Sequence, residues 1–139
     1  MRYQRAGDSY LVRFETGEEL VGALTAFAAD QRIDTATFVG IGSVSDAVLG
    51  YFDREAGDYA RHEVSGDMEI VSLTGNITLK DGRPFPHAHV ALGGRDFRAV
   101  AGHLFEGKVA ATCEVVVRPL PGAVQRQKDA KTGLYLLDL

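Results

Sequence analysis

Cysteine is nearly absent. Cys113 is the only one in 139 residues, so no internal disulfide can form and the chain fits a reducing compartment. By strand alternation Cys113 faces with Ala111, Val115 and Val117, and no activating group lies near it in sequence. It reads as a buried structural thiol. No apolar run reaches the roughly 18 residues that a membrane span needs, and Met1-Arg2-Tyr3-Gln4-Arg5 does not open a charged-then-apolar leader. The expectation is a cytoplasmic protein with no membrane partner. Positive charge is also in short supply: 15 Lys plus Arg against 19 Asp plus Glu give a net charge of -4. That balance excludes a basic domain wrapped on phosphates. There is no P-loop and no spacing that supports a Ser-His-Asp arrangement, so no catalytic residue and no organic cofactor site is assigned.

At 139 residues, 45% hydrophobic and 24% charged, the chain is expected to form one domain over residues 1–139, with a core that needs no staples. Tyr10 to Phe14 reads as a short strand. Thr16-Gly17-Glu18-Glu19 then matches a capping box, and Leu20, Val21, Leu24, Phe27 and Ala28 recur at helical spacing up to Asp30–Arg32. From Thr35 onward the pattern becomes strands punctuated by turns: Ala36 to Ile41, Val44 to Phe52, Tyr59 to Val64, and Asp67 to Leu79 interrupted at Gly75. Residues 87 to 92 and 98 to 104 suit a hairpin. Val109 to Arg118 is β-rich, Pro119 to Gly133 a loop, and Leu134 to Leu137 a last strand closing the sheet.

The predicted class is α+β, a largely antiparallel sheet of about seven strands with one main helix packed on it. One helix cannot cover both faces of such a sheet. Val115-Val116-Val117 and Ala99-Val100-Ala101 are apolar on both faces, and the uncovered side predicts self-association.

Two motifs invite a ligand and are better read as backbone features, the first a tight turn or bulge that needs glycine's φ freedom and the second a turn. Gly40-Ile41-Gly42-Ser43 follows a strand like a dinucleotide fingerprint, but Ser45 stands where the third glycine belongs and a strand, not a helix, follows. Gly82-Arg83-Pro84 has the three-residue core of an AT-hook, yet Asp81 precedes it and it lies between two strands. It is a hairpin turn.

The chemistry concentrates in histidine. Of four in the chain, three fall in Pro86-His87-Ala88-His89-Val90 and Gly102-His103-Leu104. Residues two apart on a strand share a face, with roots about 6 to 7 Å apart. A five-residue hairpin loop pairs Leu92 with Arg98 and His87 with His103, bringing cross-strand Cβ atoms to about 4.5 to 5.5 Å. All three imidazoles then share a face, whereas a four-residue loop would turn His103 away unless Gly102 made a bulge. Three neutral imidazoles suit zinc, with the fourth position open, and nickel or copper would accept the same donors. The candidate metal ligands are therefore His87, His89 and His103. His62, flanked by charges, reads as solvated. Glu106 and Glu114 are candidate carboxylates for orienting an imidazole or a bound water, and Gln125 to Lys131 a solvated connection.

In order and spacing, Phe38-Val39-Gly40-Ile41-Gly42-Ser43, Ile70-Val71-Ser72-Leu73-Thr74-Gly75-Asn76-Ile77, the two histidine motifs and Ala111-Thr112-Cys113-Glu114-Val115 resemble the plants-and-prokaryotes-conserved (PPC) domain family. The resemblance runs from Tyr10 to Leu137. It implies a compact α+β fold assembling as a homotrimer. Stand-alone prokaryotic members are described as predicted DNA-binding proteins, and some resemble zinc proteins with three histidines, which map here onto His87, His89 and His103. Plant members carry AT-hooks, absent here, and typically lack the trio. The function that follows is a zinc-carrying homotrimer with a DNA-associated regulatory or scaffolding role; the alternative is a zinc-dependent enzyme using the open metal position.

Overall fold

A computed structural model describes residues Met1–Leu139. It contains strands β1 (Arg2–Ala6) and β2 (Ser9–Glu15), helix α1 (Leu20–Asp30), and strands β3 (Ala36–Asp53), β4 (Asp58–Lys80), β5 (Arg83–Gly93), β6 (Ala99–Pro119), β7 (Arg126–Lys128) and β8 (Tyr135–Leu137). Six of these strands form an antiparallel sheet in the order β1-β2-β6-β3-β4-β5. The last of them returns to the third: β5 pairs with the first half of β6, so β6, β3, β4 and β5 close into a ring. The second half of β6 pairs on that same side with β2.

The helix starts where Glu19 caps it, its carboxylate accepting the N–H groups of Val21 and Gly22 at 3.0 and 2.6 Å. The expected capping box does not form, because the Thr16 hydroxyl donates instead to the Ala111 carbonyl. Leu20, Leu24, Phe27 and Ala28 are fully buried, and the helix lies over β5 and β6. From the ring, Phe38, Leu73, Ile77, Leu92, Val115 and Val117 meet it in one core. Cys113 is fully buried there beside Val115 and Val117, as expected, and burial pushes its thiol up to about 12. Ala111, expected on the same face, is exposed.

Eight strands replace the expected seven or so, and their boundaries differ for identifiable reasons. Ala36 to Phe52 is one strand, not two: Gly40-Ile41-Gly42 makes a bulge, as glycine at a φ of +149° allows, and the strand runs on past it. The same continuity joins 59 to 79, and 99 to 118. β1 has no apolar alternation, since all five of its residues are exposed, and hydrophobic pattern could not reveal it. Leu134 to Leu137 does not close the main sheet; β8 pairs with β7 in a separate two-stranded sheet. The turn at Asp81-Gly82 is a two-residue hairpin with both φ values positive, 53° and 72°.

The reverse face of the sheet is apolar and open. Leu11, Val39, Ile41, Val71 and Val116 line a groove of about 780 Å³ with Tyr3, and Ile41 and Val71 are each 61% exposed. The only helix has 11 residues and is too short to cross a membrane.

Gly75 sets how closely β4 and β5 approach. A Cβ there would overlap the His87 carbonyl oxygen and the Phe38 ring. Gly75→Ala is expected to destabilise the protein by about 1 to 3 kcal/mol, read as a lower urea midpoint at unchanged slope, and a midpoint equal to wild type would show that the two strands can separate freely.

Candidate metal centre

Strand β5 alternates strictly: Pro86, Ala88, Val90 and Leu92 are buried, so His87 and His89 face away from the core. On β6, His103 stands directly opposite His89. The expected register paired His103 with His87 and is corrected by two residues. Gly93 still belongs to the strand, pairing with Ala99, and the five-residue loop runs from Gly94 to Arg98. That loop closes with the Gly94 N–H donating to the Arg98 carbonyl at 2.8 Å and Phe97 at a φ of +62°. A shift of two preserves side-chain parity, and all three rings still share a face.

Their centroids are 5.0 Å apart for His87 and His103, 5.4 Å for His87 and His89, and 5.5 Å for His89 and His103. One nitrogen from each lies within 4.8 Å of the others. A tetrahedral zinc at about 2.0 to 2.1 Å from each nitrogen holds them about 3.3 Å apart, a distance that small ring rotations reach. His103 Nδ1 is buried and has no hydrogen-bond partner. Such a group ordinarily costs about 1 to 3 kcal/mol, and a metal lone-pair contact would satisfy it. The donor set therefore fits a divalent metal.

Electrostatics keeps the rings ready to ligate. Burial lowers the pKa of His103 to about 4, with His87, His89, Arg126 and Arg61 adding repulsion. Burial also lowers His87, helped by Arg126 and His89. Both are neutral at pH 7, the form a metal needs.

The surroundings were only partly anticipated. His62 is exposed on β4 opposite Leu49, solvated as expected. Glu106 and Glu114 are exposed and do not join the histidine cluster; Glu114 lines the apolar groove instead. The segment expected to be a solvated connection supplies the neighbour that was missed. Arg126, half-buried, donates from Nε to Thr78 Oγ1 at 2.8 Å, from Nη1 to the Tyr135 carbonyl at 2.8 Å and from Nη2 to Asn76 Oδ1 at 2.7 Å. The same Nη2 lies 3.4 Å from His87 Nδ1. β7 reaches this place because the Leu79 N–H donates to the Val124 carbonyl and Thr35 Oγ1 accepts the Val124 N–H. A three-residue strand is too short to leave a periodic signal in sequence.

These features define a small antiparallel β domain with one covering helix and a three-histidine cluster on its outer face. The chain belongs to the Plants and Prokaryotes Conserved (PCC) domain family, the PPC family under a second abbreviation, whose profile matches residues 1–121. Among solved structures it is similar to a metal-containing protein from Archaeoglobus fulgidus, with 39% identity, a TM-score of 0.90, and coverage of 100% of this chain and 99% of that one. It is similar also to a plant- and prokaryote-conserved protein from Pyrococcus horikoshii, with 36% identity, a TM-score of 0.88 and coverage of 99% and 94%. A proposed DNA-binding protein from Bacteroides thetaiotaomicron shares 30% identity at a TM-score of 0.95, covering 99% and 96%. No curated protein matches.

The depressed histidines give a pH dependence of definite sign. Above pH 6.5 both folded and unfolded forms are neutral at these positions and nothing changes with pH. Between 6.5 and about 4 the unfolded chain takes up protons that folded His103 and His87 refuse, so stability falls as pH falls. In metal-free protein the urea midpoint is expected to drop from pH 7 to about 5, with a shallower drop in His103→Ala. Identical slopes in the two proteins would refute the buried neutral state.

Proposed function

We propose that this chain is a homotrimeric module that carries one zinc ion per subunit on His87, His89 and His103 and acts in a DNA-associated regulatory or scaffolding role, with residues 1–139 working as one domain. The observation that carries the metal part is the convergence of three imidazoles, one nitrogen of each within 4.8 Å of the others, with His103 Nδ1 buried and unpartnered. The metal-containing relative from Archaeoglobus fulgidus supports the same reading. Zinc is preferred because three neutral nitrogens and an open position match its usual coordination. Metal analysis of protein purified without chelator is expected to give about one zinc per subunit, lost when all three histidines become alanine. A wild-type value near zero would overturn the assignment.

Self-association is supported by the open apolar groove, and the number three by the family resemblance. Light scattering is expected to give three times the 15.0 kDa subunit mass, and Ile41→Asp, which places a charge in the groove, is expected to yield monomer. A wild-type monomer, or a trimer indifferent to Ile41→Asp, would remove this part.

The DNA role rests on the naming of relatives from Bacteroides thetaiotaomicron and Ralstonia eutropha as proposed DNA-binding proteins. The chain's own charge of -4 provides no excess of phosphate contacts, so the assembled trimer or a partner must present them. Titration with an A·T-rich duplex is expected to show affinity that falls with salt. No binding at low salt would refute it.

A second reading, a zinc-dependent enzyme, is favoured by one observation: a pocket of about 310 Å³ opens directly on His87 and His103. Bound zinc would supply a water of pKa about 7 or polarise a carbonyl. Asp58, which lines the pocket, uses its carboxylate to accept the Tyr59 N–H at 2.7 Å.

A further inference from the structure

The pocket on the histidine cluster is walled by rings, and cations pack against those rings. Phe52, Tyr59, Phe85, Phe105 and Tyr135 line it. Three positive side chains lie against those rings: Arg61 with its guanidinium carbon 4.1 Å from the Phe105 centroid, Lys80 with Nζ 3.7 Å from Tyr135, and Arg126 5.4 Å from Phe85. None of the three forms an ion pair, for the pairs in the protein use the N-terminus, Arg2, Arg13 and Arg98. The one carboxylate in the pocket wall, Asp58, caps its own strand. Of the three only Arg126 lines the pocket itself, and Arg61 and Lys80 lie behind its rings. Against the single carboxylate of Asp58 they leave a local excess of positive charge in a chain of net charge -4, and a divalent metal on the histidines would add two more units beside it.

Arg126 is placed to answer that charge. A guanidinium has five N–H donors and no acceptor. Thr78, Tyr135 and Asn76 take three of them, and His87 Nδ1 at 3.4 Å is the neighbour of a fourth. One N–H on Nη1 has no protein partner. The His87 contact needs a lone pair on Nδ1, and metal loading removes it by either route. A metal on Nδ1 takes the lone pair itself; a metal on Nε2 of the neutral ring leaves the proton on Nδ1. Loading therefore leaves Arg126 with two unmatched donors facing a pocket that holds extra positive charge.

Resting on the three-histidine metal reading, we propose that Arg126 is the recognition residue of an anion subsite coupled to the metal, and that its ligand is a small carboxylate on a flat apolar body. The carboxylate answers the guanidinium and the open metal position, and the rings accept the body. The volume of about 310 Å³ sets the size at a single ring or its equivalent. Because coupling between two sites is reciprocal, the carboxylate tightens metal binding by the factor by which metal tightens the carboxylate.

The test uses the full chain loaded with cobalt(II), which accepts the same donors and reports its coordination by visible absorption. Cobalt stoichiometry is measured first, then benzoate, acetate and inorganic phosphate are titrated. Benzoate is expected to shift the cobalt spectrum, to bind the metal-free chain at least about tenfold more weakly, and to raise cobalt affinity in return. Arg126→Gln is expected to lose about tenfold in benzoate affinity with cobalt stoichiometry unchanged. Should Arg126→Gln unfold, Lys80→Gln serves in its place, with an expected loss of about threefold. Benzoate binding equal with and without cobalt, or unchanged in the variant that folds, overturns the subsite and leaves the metal reading standing. Benzoate no tighter than acetate or phosphate overturns the ligand class. A wild-type chain that takes up no cobalt overturns the subsite and the metal reading together.

Discussion

The pairing of β5 with the first half of β6 is the contact on which both fold and site depend. Without it β5 ends the six-stranded sheet as an open edge; with it, Ala99–His103 cover His89–Gly93 and four strands close into a ring. Closure pairs the outer backbone edge of His89–Gly93, a stretch that would otherwise invite pairing with another chain. It also lays His89 against His103 at the distance of cross-strand neighbours. The cluster is thus a by-product of ring closure, held by backbone hydrogen bonds and not by the histidines themselves. That order of cause explains how His103 can keep a buried, unpartnered nitrogen: the surrounding strands over-determine its position, and the loss at one atom is small against the closed ladder.

How much of this could be read from the chain depends on which signal carried it. Alternation in Pro86-His87-Ala88-His89-Val90 fixes the face of two histidines outright, because a period of two admits one answer once the apolar set is buried. The third came through although the register was misjudged by two residues, since parity and not exact pairing decides the face. Glycine at 93 looked like the end of a strand and is its last residue. Strand breaks inferred at Gly42 and Gly66 are bulges or bends in continuous strands, a distinction that depends on neighbours and not on composition. β1 and β7 carry no apolar pattern: β1 is an exposed arm of a hairpin with β2, and β7 is a three-residue strand paired with β8. Arg126 was hidden for that reason: its polar flanks in Gln-Arg-Gln-Lys read as solvent, while its meaning lies in Asn76 and Thr78, some fifty residues earlier.

Burial and charge cooperate at the cluster in a way neither would alone. Desolvation holds His103 and His87 neutral, and the nearby guanidinium reinforces it. A carboxylate in place of Arg126 would raise those pKa values and favour the protonated rings, which repel a metal. An arginine beside a metal-binding triad looks unfavourable for the loaded state, yet it excludes the protonated competitor and reserves the remaining coordination position for an anion. The aromatic walls strengthen the effect, since rings shed water and leave the cations less screened than on open surface.

The long strands keep this cluster apart from the open apolar groove. On the early part of β3, Ala36 and Phe38 are buried while Val39 and Ile41 reach the open groove; past the irregularities at Gly42 and Val44–Asp46, Ala47 and Leu49 are buried instead. Extra residues on β4 and β6 bend the sheet at those points, and one on β3 itself between Val44 and Asp46, against Val109–Lys108, exchanges which parity of β3 faces the core. One end of the strands therefore presents an apolar surface, and the other a polar pocket with three imidazoles. Bulging lets a chain of 139 residues separate the apolar groove from the histidine cluster, and the bend between them is set by glycine at position 42, where a Cβ would collide with the backbone of Thr112 and Cys113.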